Sequence, residues 1–320
     1  MLCIDSLPFC RTHTRVASLV PKEQFTSCRQ SRIKSQGLRP LTIPEILYMR
    51  TPLGIGIKKA KEAGMLINFP AAPLYKEPYS AELDDEAWYG QQAEITDDMG
   101  EFCRIRMEYG YQSCIRRRYL AQGEYQNAPL TVVFPFGDVR RVPDIKSALL
   151  LTLPRGAKVE PLGENNGWTH IRLIDGREGY ICSKAVAMQK YAPFSENEFR
   201  KSIVKTAMDY LGVPYRWGGR TPVGVDCSGL CHSAYLLNGI AIYRNASIQP
   251  EYPVHSISFA CAGAGDLLYF PGHMAMYLGD GRYIHASASA GKVCINSLDE
   301  GSPVYRRDLA ESLICAGSVF

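Results

Sequence analysis

The sequence contains no C-x-x-C pair, and so no motif for a structural zinc or for dithiol redox chemistry. It also has no run of about 18 or more apolar residues, so no membrane-spanning helix is expected. Basic residues are scattered, the densest cluster being three arginines at 116–118, and the net charge is only +4 over 320 residues. Neither feature points to nucleic acid. The N-terminus, MLCIDSLPFCRTHTRVASLV, places Asp5 and Arg11 where a secretory signal needs an unbroken apolar core, so it does not read as one. Eleven cysteines, an odd number without paired spacing, suit reduced thiols in a cytoplasm. No metal, no other cofactor, and no membrane or nucleic-acid partner is expected.

What is present is an ordinary globular composition, 46% hydrophobic and 21% charged, in a chain long enough for two or three domains. Residues 1–66 carry no chemistry; LTIPEILYMRTPLGIGIKKAKEAG reads as one or two helices, an extension ahead of the domains. From Asn68 onward short strand-like runs alternate with turns, the signature of small all-β barrels. Two segments echo each other: AEITDDMGEFCRIRMEYGYQSCIRRRYL and AKVEPLGENNGWTHIRLIDGREGYICSKAV. Each has a strand, a glycine turn, an alternating strand, a second turn and a last short strand. The second, with GW-x-x-I-x-L-x-DGR-x-GYI, resembles a bacterial SH3 (SH3b) domain, and the first resembles a divergent copy. The expected boundaries are 67–126 and 127–192.

A third domain is expected over 195–320. Ser195 and Glu198 have capping-box spacing, and Phe199, Ile203, Ala207 and Leu211 follow at helical steps until Gly212 and Pro214. Further on, Cys227 lies where a loop meets the apolar-striped SGLCHSAYLL. The first turn of a helix exposes unpaired amides and the positive end of the dipole, which favours a thiolate and predicts a lowered thiol pKa. Cys231, one turn on, is expected to face inward.

A nucleophilic cysteine needs a base and a group that orients it. GDLLYFPGHMAMYLGDGRYIHAS reads as a hairpin holding His273 and His285. With a three-residue turn at 279–281, Leu278 faces Arg282, Tyr277 faces Tyr283 and Met276 faces Ile284. Both histidines then share one face, and Met274, Met276 and Ile284 make an apolar surface on the other. A two-residue turn would shift the register by one and separate the histidines.

PYRWGGRTPVGVDCSGL followed by GDLLYF-PGHMAMYLGDGRYIHAS resembles the NlpC/p60 family of papain-like cysteine peptidases. The fold expected is therefore α+β, a papain-like domain preceded by two small all-β SH3b-like barrels. The resemblance implies that Cys227 attacks a scissile carbonyl, that His273 is the general base and that His285 orients it. It also implies an oxyanion role for Tyr215. The layout looks like the γ-D-glutamyl-L-diamino-acid endopeptidases of murein-peptide recycling, whose substrates carry a free N-terminal L-alanine. By that resemblance Asp226 is the acidic residue that grips the ammonium, Glu82 and Tyr111 are contributions of the first SH3b domain, and Ser228 is a substrate contact. YRNASIQ resembles a substrate-lining segment of the family, giving Arg244, Asn245, Ala246 and Gln249; Asn245 stands where aspartate is usual. The expected partners are small murein peptides and the expected location is cytoplasmic. A secreted or wall-bound hydrolase tethered by its SH3b domains is the alternative, and an amidase or acyltransferase on the same Cys-His core is a third.

Overall fold

The computed structural model describes residues 64–188 and 195–320. The helical reading of 41–64 lies outside the described residues except for Gly64, and Met65–Ile67, at the end of the expected extension, is a strand of the first β-domain. Among the described residues no helix is long and apolar enough to cross a membrane, and the eight cysteines are unpaired.

The first β-domain consists of β1 (Met65–Ile67), β2 (Ala71–Tyr75), β3 (Leu83–Trp88), β4 (Gln92–Met99), β5 (Phe102–Met107), β6 (Gln112–Arg116) and β7 (Leu120–Gln122). Its strand order is β3-β2-β6-β5-β4-β1-β7. The second consists of β8 (Leu130–Val132), β9 (Phe136–Arg140), β10 (Leu149–Pro154), β11 (Lys158–Asn165), β12 (Trp168–Arg172), β13 (Glu178–Cys182) and β14 (Val186–Met188). Its order is β10-β9-β13-β12-β11-β8-β14. Subtracting seven from each label reproduces the first order, so the two segments that echo in sequence also fold with one topology. Alternation explains the pattern: along β5, Phe102, Cys103, Ile105 and Met107 are buried while Arg106 is exposed.

The two β-domains are joined by shared parts. Tyr89, from the loop after β3, is buried in the apolar core of the second domain, and its hydroxyl accepts the Ile174 amide at 2.6 Å. Lys158 in turn reaches back to Glu108 at 2.8 Å.

The third domain opens with α1 (Glu196–Met208), where both arms of the Ser195–Glu198 capping box form and Phe199, Ile203 and Ala207 are buried. The helix stops at Asp209, so Leu211, expected on the same apolar face, is 49% exposed. After the two-stranded ribbon β15 (Arg220–Thr221) and β16 (Gly224–Val225) comes α2 (Cys227–Leu237), buried from Cys227 to Tyr235. It packs on an antiparallel sheet of β17 (His255–Ile257), β18 (Leu267–Phe270), β19 (His273–Gly279), β20 (Arg282–Ser287), β21 (Lys292–Ser297) and β22 (Cys315–Ser318). The order is β17-β22-β18-β19-β20-β21, with the short α3 (Arg307–Ser312) before the last strand in sequence.

The β19–β20 hairpin corrects one expectation and preserves its consequence. Asp280 (φ 52°) and Gly281 (φ 72°) form a two-residue turn with both central residues left-handed, the geometry of a type I′ hairpin. Gly279, not Leu278, faces Arg282, and a bulge at Leu278 absorbs the extra residue. Tyr277–Tyr283 and Met276–Ile284 therefore still pair. Met274, Met276 and Ile284 are fully buried in the core beneath α2, which leaves His273 and His285 together on the other face.

Candidate active site

Asp226 caps α2: its Oδ1 accepts the Gly229 amide. Cys227 thus occupies the first helical position, where its own amide has no intrahelical acceptor. Gly229 is required there because a Cβ would lie 2.2 Å from the Gly219 carbonyl oxygen. Cys227 is 8% exposed.

The sulfur meets the hairpin. The backbone amides of Ser228 and of Met274, the residue following His273, hydrogen-bond it and favour the thiolate. They do not prevail. Burial, followed by the negative charge of Asp226, raises the thiol above its ordinary value. The expected lowering by the helix tip is therefore overturned by desolvation and by the carboxylate that caps the same helix.

His273 Nε2 and His285 Nδ1 are 2.8 Å apart. Burial lowers His273 to about 4, helped by His285 and by the positive charge of Arg306. Burial also lowers His285, opposed by the hydrogen bond that its ring makes to the Asn296 side-chain oxygen. Both rings are neutral near pH 7, so the resting pair is thiol and imidazole rather than thiolate and imidazolium. A buried neutral imidazole beside a buried thiol is competent as a general base that takes the proton as sulfur attacks.

Tyr215 lies against the same domain core. A bridge pairs Tyr215 with Val225, two residues before the nucleophile in the chain. Its hydroxyl is pushed up to about 12, by burial first and then by the charges of Cys227 and Asp226, so it is a neutral donor at pH 7.

The acidic residues are arranged differently from expectation. Asp226 is not an open carboxylate. Beyond Gly229 it accepts from the Gly218 amide at 2.8 Å, from the Ser228 hydroxyl at 3.2 Å and from both terminal nitrogens of Arg244, at 3.2 and 3.1 Å. Its charge is already paired with the buried Arg244, unlike that of Asp84, whose partners are neutral hydroxyls, and this removes the physical basis for Asp226 gripping a substrate ammonium. Ser228 is buried and accepts Arg244 Nη1 at 2.8 Å. Arg244, 1% exposed, also donates to Asp85 of β3. Asp85 further accepts the Tyr109 hydroxyl and Arg220 Nη1. Glu86, next along β3, accepts the Arg220 amide at 2.9 Å and Arg216 Nη2 at 3.0 Å. Two acids of the first β-domain, Asp85 and Glu86, thus face three arginines of the catalytic domain, Arg216, Arg220 and Arg244. Trp88 completes the contact, its ring 4.2 Å from the Arg220 guanidinium.

Glu82 is exposed, lies in the bend before β3, and bonds only to Ser80 through its backbone among the contacts seen. The acid beside Tyr111 is Asp84, two residues on. Its Oδ1 accepts the Tyr111 hydroxyl at 3.1 Å and its Oδ2 accepts Ser113 at 2.6 Å. Asn245 Nδ2 donates to the same Tyr111 hydroxyl at 3.0 Å. Tyr111 and Asn245 are therefore brought together, with Asp84 in place of Glu82. Ala246 packs on the catalytic core, and Gln249 bonds Ser247 at 3.1 Å. Asn296 was also not anticipated: its Oδ1 is 3.0 Å from His285 Nε2. Period-2 alternation carries that signal only once β21 is paired to β20, with Cys294 opposite His285. Among the described residues no three His, Cys, Asp or Glu side chains are grouped to hold a metal ion.

Comparison with known proteins identifies the family. The NlpC/P60 family model matches residues 212–309, which contain the cysteine and both histidines, and a bacterial SH3 domain model matches residues 136–187. Dipeptidyl-peptidase 6 of Lysinibacillus sphaericus is 39% identical over 78% of this chain and 97% of its own length. A γ-D-glutamyl-L-lysine dipeptidyl-peptidase of Bacillus cereus is 23% identical over 71% of this chain and 74% of its own. The crystal structure of an NlpC/P60 family protein from Bacillus cereus superposes with a TM-score of 0.66 at 22% identity, covering 79% of this chain and 98% of that one. The chain belongs to the NlpC/P60 family and is a cysteine-type peptidase with a bacterial SH3 domain.

Proposed function

We propose that this protein hydrolyses the γ-D-glutamyl-L-diamino-acid bond of small murein peptides that begin with a free L-alanine, as a cytoplasmic recycling enzyme. On this reading Cys227 attacks the γ-carbonyl while His273 takes the thiol proton. The Cys227 amide and the Tyr215 hydroxyl receive the oxyanion. His273 then passes the proton to the departing amine of the diamino acid, and water, activated by the same ring, releases the acyl group from sulfur.

The observation that carries the specificity is the cluster of Asp84, Tyr111 and Asn245. Asn245 follows Arg244 in the chain, and Arg244 is bonded to Asp226 at the helix tip. One carboxylate therefore lies at a fixed remove from the nucleophile, flanked by a phenol and an amide, the chemistry that binds a single ammonium. The first β-domain supplies two of those three side chains. Its strand order, the same as that of the second, supports reading it as a divergent SH3b domain that has become a wall of the cleft. The names of the two curated relatives, both dipeptidyl-peptidases, support cleavage two residues from a free N-terminus.

The test is a paired assay on L-Ala-γ-D-Glu-L-Lys, or its diaminopimelate analogue, and the same peptide acetylated at alanine. Release of the diamino acid from the free peptide, with the acetylated one cut at least about 100-fold more slowly, supports the reading; an ion pair worth about 3 kcal/mol gives that ratio. Equal cleavage of both would leave a general wall-peptide hydrolase, the tethered alternative.

A further inference from the structure

Asn296 sits on β21, the outermost strand beside β20, two residues beyond the Cys294 that pairs with His285. Its two amide atoms have different partners. Nδ2 donates to the Val304 carbonyl at 2.9 Å, so the NH2 end faces that carbonyl and the oxygen faces the ring. Oδ1, which only accepts, is 3.0 Å from His285 Nε2. His285 must therefore carry its proton on Nε2.

The consequence passes along the chain of rings. A neutral imidazole has one proton, so His285 Nδ1 is bare and accepts. The atom 2.8 Å from it, His273 Nε2, must then be the donor, and the lone pair of His273 is left on Nδ1. Were Asn296 unable to accept, His285 could hold its proton on Nδ1 and hydrogen-bond His273 Nε2 from that side. His273 would then be protonated on Nδ1 and useless as a base for sulfur. The thiol of Cys294 is 3.5 Å from Nε2 and 3.4 Å from Asn296 Oδ1; with its proton given to Oδ1 its sulfur meets Nε2 only as a weak acceptor, which agrees with a proton on Nε2.

We propose that Asn296 is a positioning residue that selects, through His285, the tautomer in which His273 presents an unprotonated Nδ1 to Cys227. The inference rests on Cys227 and His273 as the reacting pair, but not on the identity of the peptide substrate.

Two measurements on the full chain test it. The first needs no substrate: two-bond 15N–1H correlation on histidine-labelled wild-type protein at pH 7 should show His285 and His273 both protonated at Nε2 and bare at Nδ1. Either ring protonated at Nδ1 overturns the proposal. The second compares Asn296→Ala and Asn296→Asp. The alanine variant should lose on the order of 10²-fold in kcat with KM little changed, as expected when a general base spends its time in the wrong tautomer. The aspartate variant keeps the acceptor and should recover most of kcat. Its new charge stabilises the imidazolium, so the acid limb should move to higher pH. The other charges facing the two rings, Arg306, Asp308 and Asp226, are the same in all three proteins, so the shift reports position 296. An alanine variant with wild-type kcat and pH profile would overturn the proposal. Failure on murein peptides alone would instead sink the substrate reading and leave the tautomer assignment standing.

Discussion

Arg244 joins Asp85 of the first β-domain to Asp226 at the tip of the catalytic helix, one guanidinium bonded to two carboxylates that lie far apart in the chain. Asp85 is fully buried and Arg244 almost so. Removing one partner of such a group strands a charge in low dielectric, which typically costs about 3–5 kcal/mol. Asp85→Ala should therefore destabilise the protein by about that amount in urea unfolding, and kcat/KM should fall as the cap beside Cys227 loosens. Asp85→Ala combined with Arg244→Met should cost less than the sum of the two single changes, since the Asp85–Arg244 contact is lost only once, while the losses at Arg220 and Asp226, each left short of a partner, simply add. Additive losses would show that the bridge couples nothing.

The pH dependence follows from the neutral resting pair. His273 titrates near 4 because it is buried beside His285 and Arg306. A base works in its unprotonated form, so activity should be lost only as pH falls through about 4 to 5 and not near the ordinary histidine value of 6.5. The raised Cys227 thiol predicts no thiolate absorbance at 240 nm at pH 7. An acid limb of kcat/KM near 6.5 would refute the burial argument, as would a thiolate band at neutral pH.

Much of this site was legible in the chain because the signals are local. The Ser195–Glu198 box, the helix-tip cysteine and the alternation of Met274 and Met276 against His273 and Ala275 each depend on a few adjacent residues. The hairpin turn was misread, yet the histidines still met: the apolar face under α2 fixes the register, and the bulge at Leu278 adapts the turn to it. What stayed hidden depends on contacts between domains. Nothing near Asp85 announces an arginine 159 residues away. Glu82 and Asp84 would share one side of an ideal strand, but β3 begins only at Leu83 and its register against β2 shifts at Asp84, and it is Asp84 that meets Tyr111.

That distinction can be measured with the free and acetylated peptides. Glu82→Gln should leave the preference for a free amine within about twofold, because the side chain faces solvent. Asp84→Asn keeps an acceptor for Tyr111 but removes the charge. It should reduce kcat/KM on the free peptide by about 10- to 100-fold and leave the acetylated one nearly unchanged. If Glu82→Gln carries the loss instead, the ammonium site lies elsewhere.

His232 gives the last prediction, on stability. It is fully buried on α2, its ring 4.8 Å from that of Tyr109, and neither ring nitrogen has a partner among the described residues. Burial, then the charges of Arg220 and Arg244, hold its pKa well below 6.5. Below pH 6.5 the unfolded chain binds a proton at this position that the folded chain refuses, so stability falls as the solution is acidified, by about 1.4 kcal/mol per pH unit at the limit. Between pH 6.5 and 5 the loss from this residue approaches about 2 kcal/mol. His273 and His285, also depressed, add losses of the same sign, so the reading must be a difference. His232→Phe keeps the edge contact with Tyr109 and takes no proton. Urea midpoints of wild type and variant should diverge in the variant's favour as pH drops from 7 to 5, and curves that stay parallel over that range would mean His232 is protonated, or solvated, in the folded protein.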